Sequence, residues 1–182
     1  MKKKPIEGTG HPIQKAKILI LGECKVGKSS LVRRYTGCKF INQYIPTIGI
    51  DYAQKQVDVD GTPVLVHFWD LSGDDSYFEV RNEFYSDSDG FLLVFDLTDR
   101  NSYNQLGRWI EEGRRYGADF SSGIICGNKS DLSKIAVSNE EANTFAKRLG
   151  MYYFDVSAKN GQKVDEACQR LLQVIQNKMK RK

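Results

Sequence analysis

No apolar run in the 182 residues approaches the roughly 20 needed to cross a bilayer. None of the four cysteines, Cys24, Cys38, Cys126 and Cys168, forms a C-x-x-C pair. The two histidines, His11 and His67, are not spaced as ligands with them. A zinc site is therefore not expected, and reduced thiols in a cytoplasmic or nuclear compartment are. The start Met1-Lys2-Lys3-Lys4-Pro5 is basic but has no apolar segment behind it, so no signal peptide is expected. It also lacks the Met-Gly of a myristoylation site. Neither an internal repeat nor a low-complexity segment occurs. A basic face is missing as well. Net charge is +4, but Lys2–Lys4 with Lys178, Lys180, Arg181 and Lys182 hold seven positive charges, and subtracting them leaves −3 for the body. The high pI belongs to two tails, which fit solvated ends, a weak anionic-membrane contact or a nuclear address. No nucleic-acid partner is expected.

What remains is an ordinary one-domain composition, 40% hydrophobic and 27% charged. Its organising stretch is Gly22-Glu23-Cys24-Lys25-Val26-Gly27-Lys28-Ser29, which reads G-x-x-x-x-G-K-S. Ile18–Leu21 before it reads as a buried strand, and Ser30–Tyr35 after it as a helix. That context makes the pattern a phosphate-binding loop. Glycines let the backbone wrap so that its N–H groups point at phosphate oxygens. The following helix N-terminus favours the same anion. Lys28 can then reach the β- and γ-phosphates, and the Ser29 hydroxyl can ligate Mg²⁺. By itself the loop does not name the base.

A flexible basic lead-in over 1–14 and a basic tail over 178–182 are expected on composition. Thr36–Ile50 carries Pro46, Gly49 and little periodicity, and reads as a long functional loop. Val57 and Val59 belong to a strand, and Asp60-Gly61 is a hairpin signal. The return strand alternates Val64, Val66 and Phe68. Phe91–Phe95, Ile124–Cys126 and Tyr152–Val156 read as strands buried on both faces. Ser138 caps a helix with Glu141 completing a capping box, and Gly150 stops it. Val164, Ala167, Cys168, Leu171, Leu172 and Ile175 form one apolar stripe on the last helix. Strands alternating with helices predict an α/β domain with a mostly parallel sheet.

Every further motif falls at a strand end, where such sheets bind ligands. Asp70 can hold the Mg²⁺ shell, Gly73 can bring a backbone N–H to the γ-phosphate, and Thr47 can complete the magnesium coordination. In Asn128-Lys129-Ser130-Asp131, the Asp131 carboxylate can accept from guanine N1–H and its amine, a donor pair adenine lacks. Lys129 can lay its stem along the base. In Ser157-Ala158-Lys159, the Ala158 N–H can meet the guanine oxygen. Phe40 can stack on the base edge.

With these motifs the chain resembles a Ras-superfamily small GTPase across about residues 15–177. G-E-C-K-V-G-K-S, P-T-I-G-I-D-Y, W-D-L-S-G, G-N-K-S-D and S-A-K carry the likeness. Ile48–Tyr52 and Gly90–Asp96 resemble the Rab branch. The resemblance implies a P-loop NTPase three-layer sandwich, a six-stranded mostly parallel sheet with one antiparallel hairpin and five helices. It implies a monomeric, Mg²⁺-dependent GTP/GDP signalling switch. Its nucleotide contacts would come from Glu23, Cys24, Lys25, Val26, Gly27, Lys28, Ser29, Ser30, Phe40, Tyr44, Thr47, Gly73, Asn128, Lys129, Asp131, Ser157, Ala158 and Lys159. Lys28, Thr47, Gly73 and Asp74 would serve hydrolysis, and Ser29, Thr47 and Asp70 the metal. Tyr44 and Thr47 would belong to switch I, and Asp70 to about Tyr85 to switch II. Effector proteins would bind through both switches, with exchange and activating proteins as further partners. Ile50, Phe68, Trp69 and Phe84 are the exposed effector candidates.

Three departures qualify this expectation. Asp74 stands where the family normally has a water-positioning glutamine. Cys24 and Lys25 stand where small residues are common, and Cys24 would crowd the γ-phosphate. No cysteine follows Cys168, so no prenyl anchor is expected on this chain. Together these resemble a Rab-like subgroup that often carries a C-terminal J domain, whose H-P-D motif is absent here. The expected activity is slow GTP hydrolysis. The alternative is a constitutively GTP-bound effector-binding module that hardly hydrolyses.

Overall fold

Gly22 ends a strand whose alternating residues face opposite layers, and the architecture grows from that alternation. The computed structural model describes residues 13–180. Most of the expected 1–14 lead-in, and Arg181 and Lys182 of the tail, lie outside the described residues. The strands are β1 (Gln14–Leu21), β2 (Ile50–Val59), β3 (Thr62–Leu71), β4 (Gly90–Asp96), β5 (Gly123–Asn128) and β6 (Tyr152–Asp155). They form one sheet in the order β2-β3-β1-β4-β5-β6. Only β2 and β3 run antiparallel; the other neighbours are parallel. The hairpin between them turns at Asp60 and Gly61, both at positive φ (49° and 82°), as an Asp-Gly turn of the primed type requires.

The helices among the described residues are α1 (Lys28–Tyr35), α2 (Phe78–Asn82), α3 (Arg100–Asn104 and, after Gln105, Leu106–Arg115), α4 (Asn139–Arg148) and α5 (Val164–Met179). Gln105 interrupts α3 in name only: its dihedrals are helical and its N–H donates to Asn101 O. Ile18, Ile20, Leu92, Val94, Ile124 and Cys126 face one core with α1 and α5. Leu19, Leu21, Phe91, Leu93, Phe95 and Ile125 face the other with α3 and α4. This is the expected α/β sandwich of three layers, with six strands and five helices. Strands buried on both faces read as continuous apolar runs for this reason. Burial also pushes the Cys168 thiol up to about 12, so it packs as an apolar group.

Ser138 caps α4 by accepting from Glu141 N at 3.2 Å, and Gly150 follows the helix end at φ 69°. Two expectations need correction. Tyr152–Val156 is not buried on both faces: β6 is an edge strand, and Tyr152 is 50% exposed. The last helix also runs into the expected basic tail, ending at Met179, with Lys178 Nζ 2.7 Å from Asp119. No helix among the described residues is long and apolar enough to cross a membrane.

Leu93 is fully buried at the centre of the second core. Leu93→Ala should destabilise the chain by about 2–5 kcal/mol in urea denaturation, and a loss under about 1 kcal/mol would contradict this packing.

Candidate functional site

Beyond the carboxyl ends of β1, β3 and β5 opens a cavity of about 520 Å³. Cys24, Lys25, Gly27, Lys28, Ser29 and Ser30 line it from the loop after β1 and the start of α1. Phe40, Tyr44 and Thr47 line it from the long loop, and Gly73 and Asp74 from the segment after β3. Asn128, Lys129, Asp131, Ala158 and Lys159 complete it. Glu23, Val26 and Ser157 are not brought to the lining. They act from behind, through the Glu23 and Val26 carbonyls and the Ser157 hydroxyl.

Backbone geometry shapes the loop. Gly27 sits at φ 94°, where L side chains are strained, and a Cβ there would meet Asn128 Nδ2 at 2.3 Å. Gly73 packs on the loop from below: a Cβ would stand 2.4 Å from Cys24 N and 2.5 Å from the Glu23 carbonyl carbon. Any side chain at Gly73 displaces the loop.

Lys28 is buried, and its Nζ donates to Gly22 O (2.7 Å) and Glu23 O (2.9 Å). Burial lowers its pKa, because no water stabilises the ammonium. Such a donor, held by two carbonyls at the cavity wall, suits an anion. Next to Lys28 in the chain, Ser29 Oγ lies 3.0 Å from Thr47 Oγ1 and donates to Asp70 Oδ2. Thr47 Oγ1 lies 3.4 Å from the same oxygen. Burial raises the Asp70 carboxyl to about 6, and its Oδ1 has no hydrogen-bond partner. Among the described residues no trio of His, Cys, Asp and Glu forms a metal cluster. Two hydroxyls and an orphaned carboxylate oxygen instead fit a hard oxygen-seeking cation that keeps waters and shares phosphate oxygens, as Mg²⁺ does.

At the other end, Asn128 joins two loops. Its Nδ2 donates to Val26 O (2.8 Å), and its Oδ1 accepts from Ala158 N (3.1 Å). Asp131 is oriented by Ser157 Oγ at 2.6 Å, with Lys159 Nζ 3.8 Å away. Lys129 lines the cavity at φ 67°, its ammonium paired to Asp96 at 2.6 Å.

The Ras family model matches residues 17–177. The chain belongs to the Ras family. It is 34% identical over 164 residues to Ras-related protein RABD2b of Arabidopsis thaliana, covering 90% of this chain and 81% of the relative. It is 33% identical over 164 residues to GTP-binding protein YPTM2 of Zea mays, with the same coverage. It is 36% identical over 167 residues to DnaJ homolog subfamily C member 27 of Danio rerio, covering 88% of this chain and 61% of that protein. It is thus a Rab-like small GTPase, a switch protein of a family that binds GTP or GDP with Mg²⁺. The family works in general through effectors, exchange factors and activating proteins.

Against this Ras-family frame, the position after Gly73 is unusual. Asp74 lines the cavity, yet its carboxylate caps the short helical turn Asp75–Tyr77. Oδ1 accepts from Ser76 N (2.9 Å) and Ser76 Oγ (2.8 Å), and these bonds lower its pKa. Of the effector candidates, Phe68 is a correction: it is 2% exposed and packs edge-on against Tyr35. The period-2 alternation that buries Val64 and Val66 buries Phe68 too. Ile50, Trp69 and Phe84 are half-buried. Trp69 joins Phe84 (5.0 Å) and the exposed Tyr52 (4.9 Å), a residue that sequence reasoning overlooked. Arg34 was also missed. Its Nε donates to Ala158 O at 2.9 Å and steadies the base-side loop, a contact between residues 124 apart that no local motif announces.

Asn128→Ala leaves the Val26 carbonyl and the Ala158 N–H unpaired in the interior. Denaturation should show a loss of about 2 kcal/mol or more, and a neutral result would refute the bridging role.

Proposed function

We propose that this chain is a GTP/GDP switch whose hydrolysis is slow, because the residue standing for the water-positioning glutamine is committed elsewhere. The observation that carries the reading is the Asp74 carboxylate, engaged by both donors of Ser76. Guanine specificity is assigned to Asp131, held by Ser157, with Lys129 and Phe40 flanking the base. The Ala158 N–H, shared with Asn128, is the donor toward the guanine oxygen. Lys28 and the N–H groups of residues 24–30 cradle the phosphates. Ser29 and Thr47 would hold Mg²⁺ with Asp70 behind them. When bound, that ion neutralises charge on the β- and γ-phosphate oxygens. Tyr44 closes the cavity near Lys25, whose Nζ lies 5.7 Å from its ring centre. Cys24 stands at the γ-phosphate end.

In hydrolysis, a water oxygen bonds to the γ-phosphorus in line as the bond to the bridging oxygen breaks. GDP keeps the electron pair, and the water proton passes to the released phosphate. Gly73 N–H and Lys28 stabilise the transferring group. A glutamine would both donate to and accept from that water. A capped, anionic Asp74 cannot donate and is repelled by the γ-phosphate, so positioning is what the site lacks.

The same observation favours a second reading, a module that holds GTP almost permanently and displays its switch surface to an effector. The nucleotide retained after purification, read by chromatography of the denatured protein, separates the two. Mostly GDP supports a working cycle; mostly GTP supports the module.

Two outcomes test the main reading. GTP should outcompete ATP by about 100-fold or more, and Asp131→Ala should erase most of that preference, as measured by displacement of a fluorescent GDP. In single-turnover assays, wild-type hydrolysis should be slow and should rise about tenfold in Asp74→Gln. A fast wild type, or a variant no faster than it, would overturn the assignment of Asp74.

A further inference from the structure

Outside the cavity, a dense cluster of charged side chains lies between the phosphate loop, the segment after Gly73, and α3. Arg108 holds both carboxylate oxygens of Asp75, Nη1 to Oδ2 at 3.0 Å and Nη2 to Oδ1 at 3.1 Å. Its Nη2 also reaches Glu23 Oε1 at 3.3 Å. The next residue of α3, Trp109, donates its indole N–H to the same Glu23 oxygen at 2.9 Å. Glu23, expected to touch nucleotide, therefore spends its carboxylate on α3.

Arg81 grips the same segment from α2. Its Nη1 donates to the Asp74 carbonyl (2.9 Å) and its Nη2 to Asp75 Oδ1 (3.1 Å). Arg81 is fully buried and anchored on Glu112 through Nε (2.6 Å) and Nη2 (2.9 Å). Glu112 also accepts from the Tyr85 hydroxyl at 2.8 Å. Both guanidiniums lie over the Trp109 ring, at 4.6 Å for Arg81 and 5.5 Å for Arg108. Arg108 and Arg81 together hold the Asp75 carboxyl below its ordinary range.

Isolated surface ion pairs contribute little, but bidentate arginine–carboxylate geometry within a network fixes position. Of the residues in these contacts only Asp74 lines the cavity, and the contact to it uses its backbone carbonyl. Phe40–Ile48 differs: its side chains are mostly exposed, and Thr47 is its tie to the metal-side cluster.

We propose that Arg108 is a positioning residue that latches Asp74–Tyr77 to the phosphate loop through Asp75 and Glu23, so that the start of switch II keeps one conformation with either GDP or GTP bound. The proposal rests on the guanine-nucleotide reading of the cavity. Nucleotide state is then reported by Phe40–Gly49, and a partner that reads the state must contact that loop.

The test is hydrogen exchange on the full chain loaded with GDP or with a non-hydrolysable GTP analogue, in wild type, Arg108→Ala and Arg108→Lys. Bound nucleotide is quantified in every sample. In wild type, amides of Asp74–Tyr77 should exchange within about twofold of each other in the two states, while Phe40–Gly49 slows about tenfold with the analogue. Arg108→Ala should speed Asp74–Tyr77 about tenfold and make it state-dependent, with Arg108→Lys in between because lysine cannot bridge two oxygens. Roughly 1 M NaCl should speed this segment in wild type and not in Arg108→Ala, a signature that loss of packing would not give. A tenfold state difference in wild type, or Arg108→Ala exchanging like wild type, overturns the latch. Should Arg108→Ala fail to fold, the wild-type comparison and its salt response still decide. A chain that retains neither nucleotide overturns the cavity reading, and the latch with it.

Discussion

A buried ammonium held by backbone carbonyls is the constraint around which this site is built. Lys28 is nearly out of solvent, and its partners are two neutral carbonyls, Gly22 and Glu23. Close by, Asp70 carries the opposite charge, a buried carboxylate whose Oδ1 has no hydrogen-bond partner, and the two attract each other. Each is costly alone. An anionic phosphate beside Lys28 and a divalent cation beside Asp70 would relieve both at once, which would link stability to nucleotide by mass action.

That constraint sets the rest of the architecture. The loop packs closely on Gly73 only because that residue has no side chain, and the bare Gly27 leaves room for the Asn128 amide. Its far side is tied by Asn128 to the base-side loop, which Arg34 in turn secures to α1. The two cores on either face of the sheet hold β1, β3 and β5 in parallel register, so the motifs at their ends converge without any one of them being long.

The position after Gly73 shows how one residue is redirected by its neighbours. An aspartate preceding a short helical turn is a natural cap, because its short side chain reaches the free N–H two residues on. Ser76 supplies that N–H and a hydroxyl as well. Arg81 and Arg108 fix the adjoining backbone from behind. The Asp74 carboxylate is thus engaged in helix capping, next to a backbone that a charge network holds.

Much of this was legible in the chain itself. The phosphate loop, the Asp-Gly hairpin, the capping box at Ser138 and the stripe on α5 are local patterns, set by dihedral preference and period within a dozen residues. So were the doubly buried runs of β4 and β5. The sequence could not say that Tyr152 lies at an edge, since an apolar strand residue reads alike in either place until its neighbours are known, whereas the alternation with Val64 and Val66 already put Phe68 on the buried face. Nor could it reveal the ties of Asn128, Arg34, Arg81 and Arg108, which join residues between 6 and 124 positions apart. Local patterns picked out the candidate groups for phosphate, metal and base. Only tertiary packing decided which of those side chains remain free to do so, because a carboxylate or guanidinium satisfied by a neighbour is no longer available to a ligand.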